Sequence, residues 1–370
     1  MRPTQAIINY SNLKFNYLNI RKKVKNSKVM AVVKADAYGH GMINCVKALN
    51  TLGEKKPDYY AVALLEEAIE LKKSKVEQPV LTFAPVGIDE AGLFVKYDII
   101  PTVFERAHID LLKKALPGKK KIKVHIKIDT GMGRLGVLSG KAVDFIKEVA
   151  KDSKIIVDGI YTHFATSDET DKTFANLQLS RFREIVTTLK TEGVNYGLAH
   201  SANSGAIIDM PEAYFDMVRP GIALYGYYPS LETTESIKLK PVMSLVSKVT
   251  NVNNAAPGDS VSYGRRYIAK QHTKIATVPA GYADGFVRGL TNRVSAIIKG
   301  KLYPQVGQVC MDRIMFDVND SNIKANDEVI FLGKKKNLEI TAWDWAKLLN
   351  TIPYEITCNI SKRVPRVYVE

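Results

Sequence analysis

The chain has 370 residues, of which 46% are hydrophobic and 25% charged, a composition typical of a soluble globular enzyme with a sizeable core. It holds no apolar run near the roughly 18 residues that cross a bilayer, and its first residues show no secretory pattern. Three cysteines, Cys45, Cys310 and Cys358, lie in no CxxC pair, which predicts reduced thiols in a cytoplasmic protein without a membrane partner.

The net charge of +15 is the most prominent feature of the composition. It would suit binding to nucleic acid, but the alternative is a solvated, lysine-rich surface. Runs such as KKVKNSK and PGKKKIK fall between predicted strands, and no aromatic RNA-binding pattern, zinc spacing or basic amphipathic helix accompanies them. We therefore expect no nucleic-acid partner.

Between residues 28 and 226, apolar strand-like runs alternate with helical patterns. Most runs are rich in Val, Ile, Leu and Ala, as in parallel strands that are buried on both faces. The predicted strands are 29–37, 59–65, 79–85, 99–104, 123–129, 157–164, 196–203 and 215–226. Eight strand–helix units in a row favour a closed (β/α)8 barrel. An open doubly wound sheet remains the alternative, because the number of strands cannot prove closure.

After about residue 235, short strands follow one another and are separated by turn signals such as NN, PGD and KG. This pattern predicts a mostly antiparallel β domain, in which only TAWDWAKLLN, capped by Thr341, is clearly helical. The fold class is therefore an α/β barrel followed by a β domain. We expect the barrel to span residues 11–232 and the β domain to span 233–370 together with an N-terminal strand, 1–10.

Barrel enzymes carry their chemistry at the carboxyl ends of the strands. The polar residues near those ends are Lys34, Lys127, Arg134, His163, Asn203, Ser204 and Arg219, with Gly221 and Ile222 after the last strand. A lysine inside an apolar strand is costly to bury. Lys34 is therefore either a desolvated amine that forms a Schiff base or a lysine that snorkels or pairs with a carboxylate such as Asp36.

Two other kinds of site find little support in the motifs. GMGRLG (131–136) matches the dinucleotide-binding pattern GxGxxG, but it follows the fifth strand and places an arginine in the turn. The six histidines and the scattered cysteines show no metal-ligand spacing, so no metal is expected.

Nine motifs that cover essentially the whole chain are similar, in the same order, to motifs of the alanine racemase family. They are AVVKADAYGHG (31–41), HIKIDTGMGRLG (125–136), YTHFATSD (161–168), HSANS (200–204), VRPGIALYG (218–226), VSYG (261–264), PAGYADG (279–285), VGQVCMD (306–312) and IPYEITC (352–358). The resemblance implies pyridoxal 5'-phosphate as the cofactor. It also implies a head-to-tail homodimer, in which one subunit's barrel and the other's β domain share each active site.

The resemblance implies two catalytic bases, because racemisation removes the α-proton from one face and returns it on the other. Lys34 would hold the cofactor as a Schiff base and, once freed by substrate, would act as one base. Tyr263 of the partner subunit would act as the other, supported by His163 and Arg219. Arg219 would face the pyridine nitrogen, disfavour its protonation and so weaken the electron sink.

The remaining contacts are also implied by the resemblance. The cofactor would be held by Tyr38, Asn203, Ser204, the amides of Gly221 and Ile222, and Tyr354. Arg134 would bond the phenolic oxygen of the cofactor and reach the substrate, and Lys127 would be carbamylated and would orient Arg134. Met311, Asp312 and Tyr282 would line the substrate pocket.

The implied function is interconversion of L-alanine and D-alanine, either for a cell wall or for catabolism. Arg265, Arg266 and Arg313 are not fixed by the motifs; they attract a carboxylate or are simply solvated, and they leave serine or a broader substrate range open. The nearest rival is an amino-acid decarboxylase of the same fold type, which should carry a carboxylate at the Arg219 position. A non-catalytic pyridoxal-phosphate carrier would normally lack the β domain.

Overall fold

The computed structural model describes residues 2–370, which form two compact units. The barrel unit comprises Lys14–Ala37 and Met42–Leu239. The β unit comprises the N-terminal residues as far as Leu13, the segment Tyr38–Gly41, and Lys240–Glu370. Among the described residues, no helix is both long enough and apolar enough to cross a membrane.

The strands follow one another along the whole of the described chain. In chain order they are β1 (Gln5–Asn9), β2 (Lys28–Val32), β3 (Tyr59–Val62), β4 (Val80–Pro85), β5 (Ile100–Val103), β6 (Ile122–Asp129), β7 (Val137–Leu138), β8 (Ile155–Tyr161), β9 (Leu198–His200), β10 (Met217–Val218), β11 (Met243–Lys248), β12 (Asn251–Ala255), β13 (Ser260–Val261), β14 (Tyr267–Ile268), β15 (Thr273–Val278), β16 (Ser295–Ile298), β17 (Lys301–Pro304), β18 (Ile314–Asp317), β19 (Glu328–Lys335), β20 (Leu338–Ile340) and β21 (Arg366–Val369).

The α-helices lie mostly between the strands of the barrel unit. They are α1 (Tyr10–Val24), α2 (Lys34–Gly39), α3 (Met42–Asn50), α4 (Leu65–Lys73), α5 (Ala91–Tyr97), α6 (Arg106–Ala115), α7 (Ser139–Ala150), α8 (Thr173–Thr191), α9 (Ser204–Asp209), α10 (Ala342–Leu349) and α11 (Pro353–Cys358).

The barrel unit is built on one parallel sheet with the strand order β10-β2-β3-β4-β5-β6-β8-β9. The two end strands are linked by single hydrogen bonds, from Asp216 N to Ala199 O at 3.0 Å and from Arg219 N to Ala202 O at 2.8 Å. The sheet is therefore a nearly closed eight-stranded barrel. The predicted fold class is confirmed, and the open-sheet alternative is wrong.

Burial explains why these segments become strands and helices. Every residue of β3 and β5 is buried, as expected of parallel strands covered on both faces. The surrounding helices bury one stripe each; α7, for example, buries Ala142, Ile146 and Val149 at three- and four-residue spacing. The apolar pattern thus orients each helix toward the sheet, and the carboxyl ends of the strands meet at one edge.

The β unit is mostly antiparallel. Its main sheet has the order β17-β16-β19-β11-β1-β21, with β20 paired to β19, and only the β1–β21 pair in it is parallel. A second sheet has the order β12-β15-β18, and β13 pairs with β14. The N-terminal strand β1 therefore belongs to the sheet formed by the C-terminal part of the chain.

The predicted elements agree with the structure best where the pattern is long. Helix α10 begins after Thr341, whose Oγ1 accepts a hydrogen bond from Asp344 N at 3.4 Å, as predicted for the cap. Helix α11 was not predicted, because it is short and contains the β-branched Ile356 and Thr357. The predicted strand 215–226 is wrong after Val218, since the chain passes Pro220 and forms a 3-10 turn at Ile222–Tyr225.

Candidate active site

Lys34 lies just beyond the carboxyl end of β2, where it begins α2. Ala35 to Tyr38 all have φ between +52° and +55°, so α2 is a left-handed turn made of non-glycine residues. Such a turn costs about 1–2 kcal/mol per residue, because Cβ crowds the following carbonyl oxygen. The predicted strand 29–37 is therefore wrong beyond Val32, and Lys34 follows that strand instead of lying inside it.

Two carboxylates of the barrel unit hold this turn. Ala35 N donates to Glu67 Oε1 at 2.6 Å, and Met42 N donates to Asp36 Oδ1 at 2.7 Å. The proposed Asp36 carboxylate partner of Lys34 is thus engaged by a backbone amide. Backbone strain of this kind persists only where the surroundings over-determine it, and it concentrates at functional sites.

Four positive side chains lie close enough to His163, which follows β8 by two residues, to affect its charge. Burial lowers the pKa of His163 well below 6.5, and the pKa is lowered further by the charges of Arg219, Lys127, Arg134 and Lys34. The imidazole is consequently neutral at pH 7. The structure thus brings together five of the residues that the strand ends predicted.

Arg219 is the buried centre of this cluster, with 3% of its surface exposed. Its Nη1 donates to His200 Nδ1 at 2.8 Å and to His200 O at 3.0 Å. Its Nη2 donates to Thr162 O at 2.6 Å and to Ser201 O at 3.0 Å. None of these four acceptors is a carboxylate. Burial lowers the pKa of Arg219 to about 10, so the guanidinium stays charged at neutral pH.

Lys127 lies in β6 and is also buried, with 4% exposed. Its ammonium group is 4.7 Å from the centre of the Tyr161 ring, and Arg219 Cζ is 5.2 Å from the centre of the same ring. Burial and then the charges of Arg219 and Arg134 lower the pKa of Lys127 to about 7. A large share of this amine is therefore uncharged and nucleophilic at neutral pH.

Asn203 and Ser204 lie at the start of α9, beside the turn that follows β10. Ser204 Oγ accepts hydrogen bonds from Gly221 N at 2.9 Å and Ala223 N at 3.3 Å, which leaves its own proton as a donor. Asn203 Oδ1 caps the helix by accepting from Ala206 N at 3.0 Å. Gly221 and Ile222 begin a 3-10 turn, so two groups of backbone N–H donors lie close together.

Arg134 is exposed on the loop between β6 and β7, which is the GMGRLG segment. Asp129 accepts from Gly131 N at 2.8 Å and from Gly133 N at 3.0 Å, so a protein carboxylate occupies the amides that a phosphate would need. Gly136 has φ +128°, and a Cβ there would lie 2.6 Å from Asp129 N. The glycines therefore serve the turn that presents Arg134.

Tyr263 belongs to the β unit and has 74% of its surface exposed. It starts a short 3-10 turn after Ser262, which has φ +68°. Ser262 Oγ donates to Gln308 O at 2.7 Å and so anchors the base of this turn. Arg265 and Arg266, which follow, are exposed, which is compatible with either alternative given for them.

Tyr282 and Met311 lie on two loops of the β unit that are joined by hydrogen bonds. Tyr282 N donates to Cys310 O at 3.0 Å, and Ala283 N donates to Met311 O at 3.2 Å. Both side chains are exposed, by 40% for Tyr282 and 51% for Met311. These loops therefore present two adjoining exposed side chains.

Asp312, next to Met311, accepts a hydrogen bond from Arg363 Nη2 at 2.6 Å, and this interaction lowers the pKa of Asp312. The exposed Arg313 donates from Nη1 to the Asp312 carbonyl oxygen at 2.8 Å. Asp312 is thus an ionised, oriented carboxylate at the end of the Met311 loop.

Tyr38 and Tyr354 come together within the β unit. Their ring centres are 5.8 Å apart at an angle of 50°. Burial raises the pKa of Tyr38 above its usual range, so its hydroxyl keeps its proton and can donate. The two predicted cofactor ligands from different motifs are therefore neighbours.

Three buried residues of the barrel unit were not predicted as site residues: Tyr161, His200 and His125. The Tyr161 ring is stacked on His200, with ring centres 4.9 Å apart and an angle of 7°. Period-two alternation would have placed His125 and Lys127 on the same face of β6. The HSANS motif also contained His200, but a single histidine in an apolar strand does not indicate which residues it contacts.

No group of three or more His, Cys, Asp and Glu in residues 2–370 could hold a metal ion.

Comparisons with known proteins agree over the whole chain. The family model "Alanine racemase, N-terminal domain" matches residues 8–229, and "Alanine racemase, C-terminal domain" matches 242–368. The chain is 44% identical over 373 residues to "Alanine racemase 2" of Caldanaerobacter subterraneus subsp. tengcongensis, covering 100% of this chain and 95% of the relative.

Solved structures show the same similarity. An alanine racemase from Clostridium difficile 630 is 39% identical with a TM-score of 0.92, covering 100% of this chain and 96% of the other. A histidine racemase from Leuconostoc mesenteroides subsp. sake is 27% identical with a TM-score of 0.91, covering 100% and 98%. Proteins similar to this chain thus include racemases named for two different amino acids.

Proposed function

This chain belongs to the alanine racemase family and is an isomerase of that class, and we propose that it interconverts L-alanine and D-alanine with pyridoxal 5'-phosphate as its cofactor. The observation that carries the proposal is the cluster around His163. In it a lysine amine, a buried charged arginine and a neutral imidazole meet at the carboxyl ends of barrel strands. That combination suits proton transfer next to a cofactor that binds through an amine.

The donor set at the strand ends fits pyridoxal phosphate. Lys34 offers the amine that an aldehyde needs. The Ser204 hydroxyl keeps its proton to donate and lies with the Ile222 amide at the starts of two helical turns, a setting that suits a phosphate; the Gly221 amide, which donates to Ser204 Oγ, would have to turn to the phosphate on binding. When bound, the cofactor supplies an electron sink that makes the α-proton of an attached amino acid acidic. Asn203, Arg134, Tyr38 and Tyr354 complete the proposed contacts, the last two on the family resemblance alone.

We assign the two bases to Lys34 and to Tyr263 of the partner subunit. A racemase needs one base on each side of the α-carbon, because the proton leaves one face and returns on the other. The turn fixed by Glu67 and Asp36 supports Lys34 for this task, since it holds the backbone from which the amine extends. Tyr263, with 74% exposed on an anchored turn, is available to a second subunit in a homodimer.

Arg219 is proposed to act on the electron sink. A guanidinium with a pKa of about 10 keeps its proton, so Arg219 would donate a hydrogen bond to the ring nitrogen of the bound cofactor and would not protonate it. The sink is then weaker, which limits side reactions such as transamination. The decarboxylase alternative expected a carboxylate at this position, and the chain has an arginine there.

Lys127 is proposed to carry a carbamate. With a pKa of about 7, roughly half of the amine is neutral at pH 7, and only the neutral amine attacks carbon dioxide. The Nζ lone pair forms a bond to the carbon while one C=O electron pair moves onto oxygen, and the nitrogen then loses a proton to solvent. Counted from the ammonium form two protons leave, so a positive group becomes a negative one. That charge would offset Arg219 and Arg134 and orient Arg134 for the cofactor and the substrate.

The substrate pocket is proposed to include Met311, Asp312 and Tyr282, with alanine as the substrate. Serine or a broader range is the second candidate, favoured by the similarity to a histidine racemase.

We retain residues 11–232 as the cofactor-binding domain and 233–370 with 1–10 as the domain that supplies Tyr263. We also place the enzyme in the cytoplasm, because cysteines outside any CxxC pair are typical of a reducing compartment.

Lys34→Ala removes the amine that holds the cofactor. The variant should therefore lose the cofactor absorption near ~420 nm and should not exchange the α-proton of L-alanine in heavy water. The wild-type enzyme should produce D-alanine labelled at the α-carbon, detected by chiral chromatography with mass spectrometry. Lys141→Ala, on the exposed face of α7, is the matched control and should keep both properties. A band that survives in Lys34→Ala would assign the cofactor to another lysine.

Tyr263→Phe removes one of the two proposed bases. Abstraction of the α-proton should slow by about 100- to 10,000-fold from L-alanine and far less from D-alanine, because the bases face opposite sides of the substrate. Initial rates of exchange in heavy water, measured for each enantiomer, distinguish the two directions. Tyr196→Phe, just before β9, should change neither rate, and equal losses in Tyr263→Phe would contradict the assignment of faces.

Mixing the Lys34→Ala and Tyr263→Phe proteins should restore activity. If one site draws Lys34 and Tyr263 from different subunits, each hybrid dimer has one intact site, and random exchange gives about a quarter of the wild-type rate. Racemase assays combined with native mass spectrometry of differently tagged subunits measure both rate and exchange. Hybrid dimers that form without any gain in activity would rule out the shared site.

The carbamate should be visible by carbon-13 NMR after equilibration with labelled bicarbonate. The signal should be strong at pH 8 and should fall as the pH drops below about 7, because protonation removes the nucleophilic amine. Lys127→Met should lack the signal, whereas Lys121→Met, exposed just before the same strand, should keep it. Wild-type protein without a carbamate resonance at pH 8 would refute the modification.

A further inference from the structure

A chain of hydrogen bonds runs through the barrel unit from Arg219 to a carboxylate. Arg219 Nη1 lies 2.8 Å from His200 Nδ1, His200 Nε2 lies 2.9 Å from His125 Nδ1, and His125 Nε2 lies 3.3 Å from Asp158 Oδ2. Both imidazoles are fully buried, and the Asp158 side chain is only 12% exposed. The chain therefore connects four side chains with little competition from water.

The two ends of this chain determine where every proton between them lies. A guanidinium only donates and an ionised carboxylate only accepts. Burial lowers the pKa of His125, and burial together with Arg219 lowers that of His200 well below 6.5, so both rings are neutral. His200 must accept at Nδ1 and donate from Nε2, and His125 must do the same. In the opposite tautomer, His200 would direct an N–H at the Arg219 donor.

The strands are shaped to hold this chain. Gly159 faces His125, and a Cβ at Gly159 would lie 2.6 Å from His125 Cε1 and 2.8 Å from Nδ1. The pairing of β6 with β8 also shifts register between Val124 and His125. Tyr161 stacks on His200 at a 7° angle, which fixes the plane of that ring. A side chain at position 159 would therefore clash with the imidazole, so only glycine leaves room for the His125 ring there.

We propose that Asp158 and His125 are positioning residues, which fix the tautomer of His200 and thereby the orientation of the Arg219 guanidinium. The proposal rests on the function proposed above, in which Arg219 faces the cofactor ring. Asp158 is the group that sets the direction of the chain, because it is the acceptor-only end. It does so from β8, two strands away from β10, without touching the reacting atoms.

Lys123 makes this direction testable. Asp158 accepts from Lys123 Nζ on Oδ1 at 2.9 Å and from Tyr59 OH on Oδ2 at 3.0 Å. In Asp158→Asn the single oxygen should stay with the ammonium group, which can only donate, so the amide NH2 faces His125. His125 Nε2 must then accept a hydrogen bond, so both imidazoles change from the Nε2–H to the Nδ1–H tautomer. The Nδ1–H of His200 then points at the N–H donor of Arg219 Nη1.

The experiment compares four holoenzymes labelled with nitrogen-15 histidine: wild type, Asp158→Asn, Lys123→Met/Asp158→Asn, and the control Asp152→Asn. Asp152 pairs with Lys113 at 2.6 Å just before β8 but lies off the chain. Nitrogen-15 NMR reports which ring nitrogen carries the proton. His125 and His200 should be protonated at Nε2 in the wild type and in Asp152→Asn, and at Nδ1 in Asp158→Asn. The double variant should return to Nε2, because its amide can turn.

Racemase kinetics on the same proteins give the second readout. Asp158→Asn should lower kcat at least ~10-fold in both directions and change KM less than ~3-fold, and the double variant should recover part of kcat. Wild-type rings protonated at Nδ1, or a reversed chain with unchanged kcat, would overturn the proposal. Wild-type protein that shows the expected tautomers but does not racemise alanine would refute the proposed function instead.

Discussion

The strand-end cluster depends on keeping a guanidinium charged while it is removed from water. Burying such a group without partners is costly, and Arg219 is held by three carbonyl oxygens and an imidazole nitrogen in place of a carboxylate. Its positive charge is therefore not cancelled locally. It acts on the groups around it and lowers the pKa of His163 and of Lys127.

The neighbouring groups become useful for proton chemistry because burial, and then that charge, lowers their pKa values. A neutral imidazole and a largely neutral amine beside a permanent cation can accept or hold protons at pH 7, which isolated lysines cannot do. Lys34 reaches the same cluster from a left-handed turn that the backbone would not adopt unaided. The carboxylates of Glu67 and Asp36 stabilise the turn and so hold the backbone at Lys34 just beyond the end of β2.

The two units contribute in different ways. The barrel unit buries Arg219 and orients it through hydrogen bonds, along the path from Arg219 to Asp158. The β unit presents Tyr263, Tyr282 and Met311 with much of their surface exposed, on turns that are themselves anchored. Exposed side chains on anchored turns suit the proposed shared site, since a second subunit could cover them without reorganising either chain.

The sequence by itself determined the fold class and the residues at the strand ends. The local spacing of apolar residues predicts which strands are buried and which face of each helix packs against the sheet. Family motifs then connected residues as distant as Lys34 and Tyr263. The sequence did not reveal the left-handed turn at Ala35–Tyr38, since only Asp36 among those residues is of a type that visits positive φ at all readily. Nor did it connect His125, His200 and Asp158, which lie on three strands. Only the tertiary structure decided the left-handed turn and this hydrogen-bond chain. Both depend on partners that are remote in sequence: the carboxylate that holds the strained backbone, and the groups at the two ends that set the direction of the chain.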